Sequence, residues 1–367
     1  MAEETGKRKG DHIRICLDDK AQAKRATSGF EDIQLIHRAL PEINKAKIEL
    51  STTFLGKKFS APLIVGAMTG GTEQAMEINA NIAAAIETLG LGMGLGSQRA
   101  AIENSNLERT YRIARQKAPN AFLIANVGGV QLVHGFGVKE VKRIAEMIDA
   151  DAIAIHLNAL QEAVQPEGQT NFQGVLAKIC EIASALDTPV IVKETGAGIS
   201  AEDAKALEDS GVKAIDIGGV GGTSFAAVEY HRVSKTEEGV QHFMGEALWD
   251  WGIPTAVSLI ESAQTVKLPL IASGGIRSGE DIAKALALNA TLAGIVQPIL
   301  QTAVKSASET EQKLTCLIEE LRNVMFLTGA QKISELHKTP VVITGKTAEW
   351  LTARGFNLQN YAKRGTQ

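Results

Sequence analysis

Four polar side chains crowd the segment Ala152-Ile153-Ala154-Ile155-His156-Leu157-Asn158-Ala159-Leu160-Gln161-Glu162. It begins as an apolar run of the kind that forms a fully buried parallel strand. It then breaks into His156, Asn158, Gln161 and Glu162, groups able to donate, accept, titrate or hold a metal. Packing gives a core strand no reason to end this way. A polar cap on the next helix is the plain alternative, but four such groups exceed what a cap needs. Glu162 suits Mg²⁺, which takes one or two carboxylates and fills its shell with water and phosphate oxygens.

Lys193 closes a second apolar run, Val190-Ile191-Val192-Lys193-Glu194. A buried ammonium must be paired or functional. It can pair with Glu194, form a Schiff base as in an aldolase, or hold the N1–C2=O edge of a reduced flavin. Gly274-Gly275-Ile276-Arg277 and Gly218-Gly219-Val220-Gly221-Gly222-Thr223 are glycine-rich turns after neighbouring runs. Each alone reads as a tight turn. Together they favour a phosphorylated cofactor, because bare backbone N–H groups before a helix can approach an anion. Ser97 and Asn126 end two further runs and suit a polar heterocycle. Ala67-Met68-Thr69-Gly70-Gly71 ends another with small residues, a floor for a flat ring. Ser97-Gln98-Arg99 offers a cation, and Lys7-Arg8-Lys9 with His12 offers more. A charged N-terminus commonly forms a solvated tail. Folded over the site, these residues would clamp a diphosphate, for which the arginine fork is suited.

The runs that end in these residues start near Ala61, Leu89, Ala121, Ala152, Pro189, Ala214, Leu268 and Leu292. Helical patterns alternate with them, as at 73–89 and 138–148, and Ser200 and Ser278 each open a helix in capping-box fashion. Eight strand–helix units of about 30 residues predict a (β/α)8 TIM barrel, with a doubly wound open sheet as the alternative. Chemistry-bearing residues follow nearly every strand, which a ring of loops explains better than one switch point. Residues 1–60 form an N-terminal extension, 61–302 the barrel, and 303–367 C-terminal helices. An insertion at 224–267, with Glu229, Trp249 and Trp251, would act as a lid.

Bulk properties narrow the function. A net charge of −4 and 4 % aromatic residues leave neither a basic face nor stacking platforms for nucleic acid. Cys16, Cys180 and Cys316 lie far apart, without zinc spacing, as free thiols of a reducing compartment do. No apolar leader precedes residue 14 and no apolar run reaches membrane-spanning length, so a cytoplasmic protein is expected.

The chain resembles the type 2 isopentenyl-diphosphate Δ-isomerases over nearly its whole length. The resemblance rests on Arg8-Lys9 with His12, Met68-Thr69-Gly70-Gly71, Gly96-Ser97-Gln98-Arg99, His156-Leu157-Asn158 with Gln161-Glu162, Val192-Lys193-Glu194, Gly221-Gly222-Thr223-Ser224, Glu229 and Gly274-Gly275-Ile276-Arg277. It implies FMN held by Ala67, Met68, Thr69, Ser97, Asn126, Lys193, Thr223, Gly275, Ile276 and Arg277, with Val296 and Gln297 at the phosphate end. It implies a diphosphate substrate among Arg8, Lys9, His12, Ser97, Gln98, Arg99, His156, Asn158 and Gln161, with Mg²⁺ on Glu162. Gln161, Glu229 and His156 would serve the proton transfers. It further implies reduced FMN as the active form, NAD(P)H as reductant, and a homotetramer or homo-octamer. One departure stands out. The family usually has Ser where Gly218 stands, which puts one phosphate contact in doubt. Three rivals remain: a flavin oxidase or dehydrogenase, a class I aldolase using Lys193, and a non-catalytic flavin- or phosphate-binding protein.

Overall fold

The computed structural model describes residues 2–232 and 239–365. Eight parallel strands close into a barrel, as the alternation of strands and helices predicts. They are β1 (Leu63–Val65), β2 (Gly92–Gly94), β3 (Phe122–Gly128), β4 (Ala152–Leu157), β5 (Val190–Glu194), β6 (Ala214–Asp216), β7 (Leu270–Ser273) and β8 (Leu292–Ile295). Closure comes from β8 on β1, with Ala293 opposite Leu63.

The strands are apolar throughout because both of their faces are buried. Ala152 and Ala154 of β4 point into the barrel, in one cluster with Ile124, Ile191, Ala214 and Ile271. Ile153 and Ile155 point outward into the core under the helices. Each large side chain so buried contributes about 1.5–3 kcal/mol. Alternation then decides where the polar ends go. His156 is in register with Lys193, and Lys193 with Asp216, so all three point inward, two residues beyond Ala154, Ile191 and Ala214 toward the carboxyl ends of the strands. A hairpin of Thr52–Phe54 and Lys57–Phe59 covers the opposite end. Its Phe54 and Phe59 rings sit 5.7 and 5.5 Å from Phe122. The open end is therefore the one at the carboxyl ends of the strands, where barrel enzymes place their sites.

Local signals set the helices. Thr72 caps Glu73–Leu89, which ends at Gly90 in the left-handed region. Ser278 and Asp281 form a full capping box on Gly279–Ala287, and Ser200 accepts from the Asp203 N–H. The insertion is shorter than its sequence indicates. Thr255–Thr265 is the ordinary barrel helix of its unit, so the added part is Phe225–Arg232, Val240–Ala247 and the chain up to Pro254. Residues 233–238 of it lie outside the described residues.

Two terminal pieces complete the mouth. The N-terminal helix Ala2–Leu17 packs against Phe225–Arg232. The strap that follows is stitched down by backbone: Ala23 N donates to Gly222 O (2.9 Å) and Ser224 N to Ala21 O (2.7 Å). Trp249 Nε1 donates to Gln22 O at 2.9 Å. At the other end, Val341–Ile343 pairs antiparallel with Ile33–Leu35, joining the two extensions. No helix among the described residues is long and apolar enough to cross a membrane.

Candidate active site

One cavity fills the mouth, and nearly every residue singled out in the sequence lines it. Arg8, Lys9 and His12 reach it from the N-terminal helix. Ala67, Met68 and Thr69 follow β1, Ser97 and Arg99 follow β2, and Asn126 lies on β3. His156, Asn158, Gln161 and Glu162 come from the β4 end and Lys193 from β5. Thr223, Gly275, Ile276, Arg277, Val296 and Gln297 complete the circle. The side chain of Lys7 lies outside the described residues.

Two expected residues have no face on this cavity. Gln98 is wholly buried behind the strand ends. Its Nε2 donates to Ile144 O at 2.8 Å and its Oε1 accepts from Asn126 N at 3.0 Å. It braces β3 instead of meeting a substrate, because the chain turns into a helix at Arg99 and throws this side chain inward. Glu229 is likewise only 1 % exposed, set behind Gln161 and His12. Its Oε1 accepts from Gln161 Nε2 (3.1 Å) and lies 3.1 Å from His12 Nε2. Arg232 Nε donates to its Oε2 at 2.5 Å. Burial would raise the Glu229 carboxyl, but His12 and Arg232 prevail and hold it down at about 2. Glu229 therefore acts as a fixed anion that orients Gln161, whose Oε1 in turn accepts from Asn158 Nδ2 at 3.2 Å.

His156 is kept neutral. Burial first, then Lys193, Arg99 and Lys9, lower its imidazole to about 3. Its Nδ1 meets Asn126 Oδ1 at 2.7 Å, so with the amide in this orientation Nδ1 carries the proton and Nε2 is left as an acceptor. Lys193 and Glu194 point to opposite faces of β5, and the Lys193 ammonium donates to the Glu194 backbone oxygen. The Glu194 carboxylate instead accepts from Thr195 N and Gly196 N, both at 2.6 Å, and shapes the turn that borders the cavity.

The profile of the FMN-dependent dehydrogenases matches residues 2–125 and 152–343. The isopentenyl-diphosphate delta-isomerase of Methanosarcina mazei is 49% identical over 365 residues, covering 100% of this chain and 99% of the relative. A protein of the same name from Pyrococcus furiosus is 50% identical, covering 97% of this chain and 91% of the relative. The chain belongs to the isopentenyl-diphosphate delta-isomerase family. More distant solved structures share the barrel. A flavocytochrome b2 variant has a TM-score of 0.64 at 17% identity, over 89% of this chain and 81% of that one. A mandelate oxidase variant has 0.63 at 18%, over 94% and 99%. These two likenesses concern the fold alone.

The flavin that the family uses fits the donors present. Arg277 reaches Gln297 Oε1 at 3.1 Å and also donates to Gln22, whose Nε2 lies 3.3 Å from Thr223 Oγ1. Guanidinium, hydroxyl, amides and the glycine turn at 274–275 thus converge as a phosphate pocket beside a helix start. Lys193 and Asn126 line the cavity from inward-facing strand positions and would hold the polar edge of the ring. At Gly218 φ is +51°, and a Cβ there would fall 2.3 Å from Glu194 O, so the backbone as it stands requires glycine.

Mg²⁺ also fits. Glu162 accepts from Asn158 Nδ2 (3.0 Å), Gln165 Nε2 (2.6 Å) and Gln169 N (2.8 Å). Beside it Asn158 Oδ1 and Gln165 Oε1 are buried without a donor. Both amides turn their N–H2 groups to the carboxylate, and a half-turn of each would set two amide oxygens beside it as a hard-cation donor set. No group of three or more His, Cys, Asp or Glu that could hold a metal occurs among the described residues, so phosphate oxygens and water would complete the shell.

Gln165 and Gln22 were not apparent in the sequence. Gln165 lies four residues after Gln161, and that helical spacing is the signal that could have found it.

Proposed function

We propose that this protein converts isopentenyl diphosphate to dimethylallyl diphosphate, moving the carbon–carbon double bond without net redox change. The observation that carries the reading is the convergence of the β4 end with Arg8, Lys9 and Arg99 across a flavin-type cavity. The names of the full-length relatives agree.

The reaction adds a proton at C4 and removes one from C2, passing through a tertiary cation-like state on the substrate. Such a state needs negative charge and exclusion of water. Reduced FMN, when bound, supplies a flat electron-rich face and a proton-bearing N5. The chain's own residues do the rest. Lys193 offsets charge at the ring edge. Arg8, Lys9 and Arg99 bind the diphosphate. Glu162, with Asn158 and Gln165, would hold Mg²⁺, which lowers the cost of burying that charge. Gln161 is locked between Glu229 and Asn158, and in this reading it would turn a fixed amide toward the reacting carbons of the substrate. His156 offers a neutral imidazole whose Nε2 can accept a hydrogen bond, and its low basicity leaves the proton transfers to other groups. NAD(P)H is the electron source that we assign for the reduction. The exposed Val240, Phe243 and Trp251 of the insertion support self-association into the tetramer or octamer, and the three free thiols support a cytoplasmic setting.

The test is an anaerobic assay with isopentenyl diphosphate, FMN, NADPH and Mg²⁺, reading dimethylallyl diphosphate. Product formed without stoichiometric NADPH oxidation is expected. No product, or one oxidation per turnover, overturns the reading.

A further inference from the structure

Gly70 and Gly71 read in the sequence as a bare floor for a flat ring. The structure fills that space otherwise. A Cβ on Gly70 would fall 2.0 Å from Tyr111 Cε1, and one on Gly71 would lie 3.2 Å from both the Tyr111 hydroxyl and Lys9 Nζ. The glycine pair clears a slot for a phenol and an ammonium.

Tyr111 belongs to the helix Arg109–Lys117 and is wholly buried. That helix is bolted to the slot: Gly71 N donates to Thr110 Oγ1 at 2.9 Å, and Asn79 Nδ2 donates to Thr110 O at 3.1 Å. The Tyr111 hydroxyl accepts from Lys9 Nζ at 2.6 Å and donates to Ser97 O at 2.8 Å. Lys9 Nζ also donates to Ser97 O at 2.9 Å. An ammonium has three N–H groups. Two are tied to the wall, and one remains for the cavity that Lys9 lines.

We propose that Tyr111 is a positioning residue that fixes the Lys9 ammonium so that its remaining N–H meets the diphosphate of the substrate. This rests on the reading of Arg8, Lys9 and Arg99 as the diphosphate clamp. Packing alone would be served by phenylalanine, so the hydroxyl is the informative atom.

The charges around Lys9 give the proposal a pH signature. Arg8 faces it from its own helix, Arg99 and Glu103 from the helix Arg99–Glu103, His156 from β4 and Tyr111 from behind. Burial first, then Arg8 and Arg99, lower the ammonium to about 7, with Glu103 opposing. Burial pushes the Tyr111 hydroxyl up, so it remains a neutral acceptor for Lys9. An acceptor favours the charged form of its donor. Removing it lowers the Lys9 value further, and binding of the diphosphate should fade at lower pH.

The experiment compares Tyr111→Phe and Lys9→Ala with the wild-type holoenzyme. It reads kcat and KM for isopentenyl diphosphate across the alkaline limb, affinity for inorganic diphosphate by calorimetry, and FMN content. Tyr111→Phe should raise KM and the diphosphate Kd about tenfold, as loss of one charge-assisted hydrogen bond does, with kcat and FMN content kept. The alkaline limb of kcat/KM should move down by about half a unit. Wild-type KM, Kd and limb in Tyr111→Phe, or a loss of thermal stability alone, would overturn the proposal. If Lys9→Ala binds diphosphate normally, the clamp reading itself fails. If Lys9→Ala loses affinity and Tyr111→Phe does not, the failure belongs to Tyr111 only.

Discussion

The loops after β5 to β8 and the segment after β4 face each other across one cavity, yet they are built differently. On the side we assign to the flavin the pocket is largely backbone: the glycine turns at 218–223 and 274–275, with Lys193 and Arg277 projecting from the strand ends. On the side we assign to the substrate it is a side-chain lattice drawn from distant segments. His12 and Gln161 both meet Glu229, and Arg232 bridges Glu229 to Glu167, and Glu167 in turn pairs with Arg8 at 3.6 Å. Backbone pockets tolerate the loss of one side chain gradually. A lattice in which each polar group satisfies its neighbours does not, because every deletion leaves a buried partner unmatched.

This contrast can be broken in four ways. Glu162→Gln should have the largest effect, lowering kcat/KM by about 1000-fold and raising the Mg²⁺ needed for half-activity. Its FMN affinity should stay at the wild-type value, and unchanged turnover at limiting Mg²⁺ would remove the metal role. Lys193→Ala should lose about 100-fold in FMN affinity and purify pale. At saturating FMN its KM should be near normal, and a fully yellow variant would count against the flavin-side assignment. Glu229→Gln keeps the shape but removes the charge that orients Gln161. A drop of about tenfold in kcat with little change in FMN binding is expected; equal losses in both would show that the two sides are one unit. The smallest expected effect is none at all. Because His156 is held at about 3, its imidazole should not titrate in imidazole-resolved NMR through the neutral range, and a midpoint near the ordinary histidine value would refute its burial.

The two sides also differ in how far they could be read from sequence. The strands, their order and the glycine turns depend on contiguous residues, so β1 to β8 fall where the apolar runs predict. The β4 end was legible because four polar groups interrupt one run. What failed was side-chain direction. Gln98 sits between two cavity residues in sequence but points into the wall, and Glu229 approaches the site only through others. Tyr111, Gln22 and Arg232 occupy ordinary positions on a helix or strap, and only the tertiary fold brings them to Lys9, Arg277 and Glu229. Gly70 carried a real signal with the wrong cause, since its missing side chain makes room for a tyrosine.

The strap after the N-terminal helix has a consequence for how the protein is made. It docks on Gly222, Ser224 and Trp249, and its Asp19 accepts from Gln297 Nε2 at 2.6 Å. During synthesis the N-terminal segment leaves the ribosome first, but the surfaces that hold it are translated only after most of the barrel. It must wait undocked until Trp249 has emerged, and its last tie, to Gln297, forms only after β8. Arg8, Lys9 and His12 are thus the first site residues to be made, yet they cannot take their places until most of the barrel has been translated.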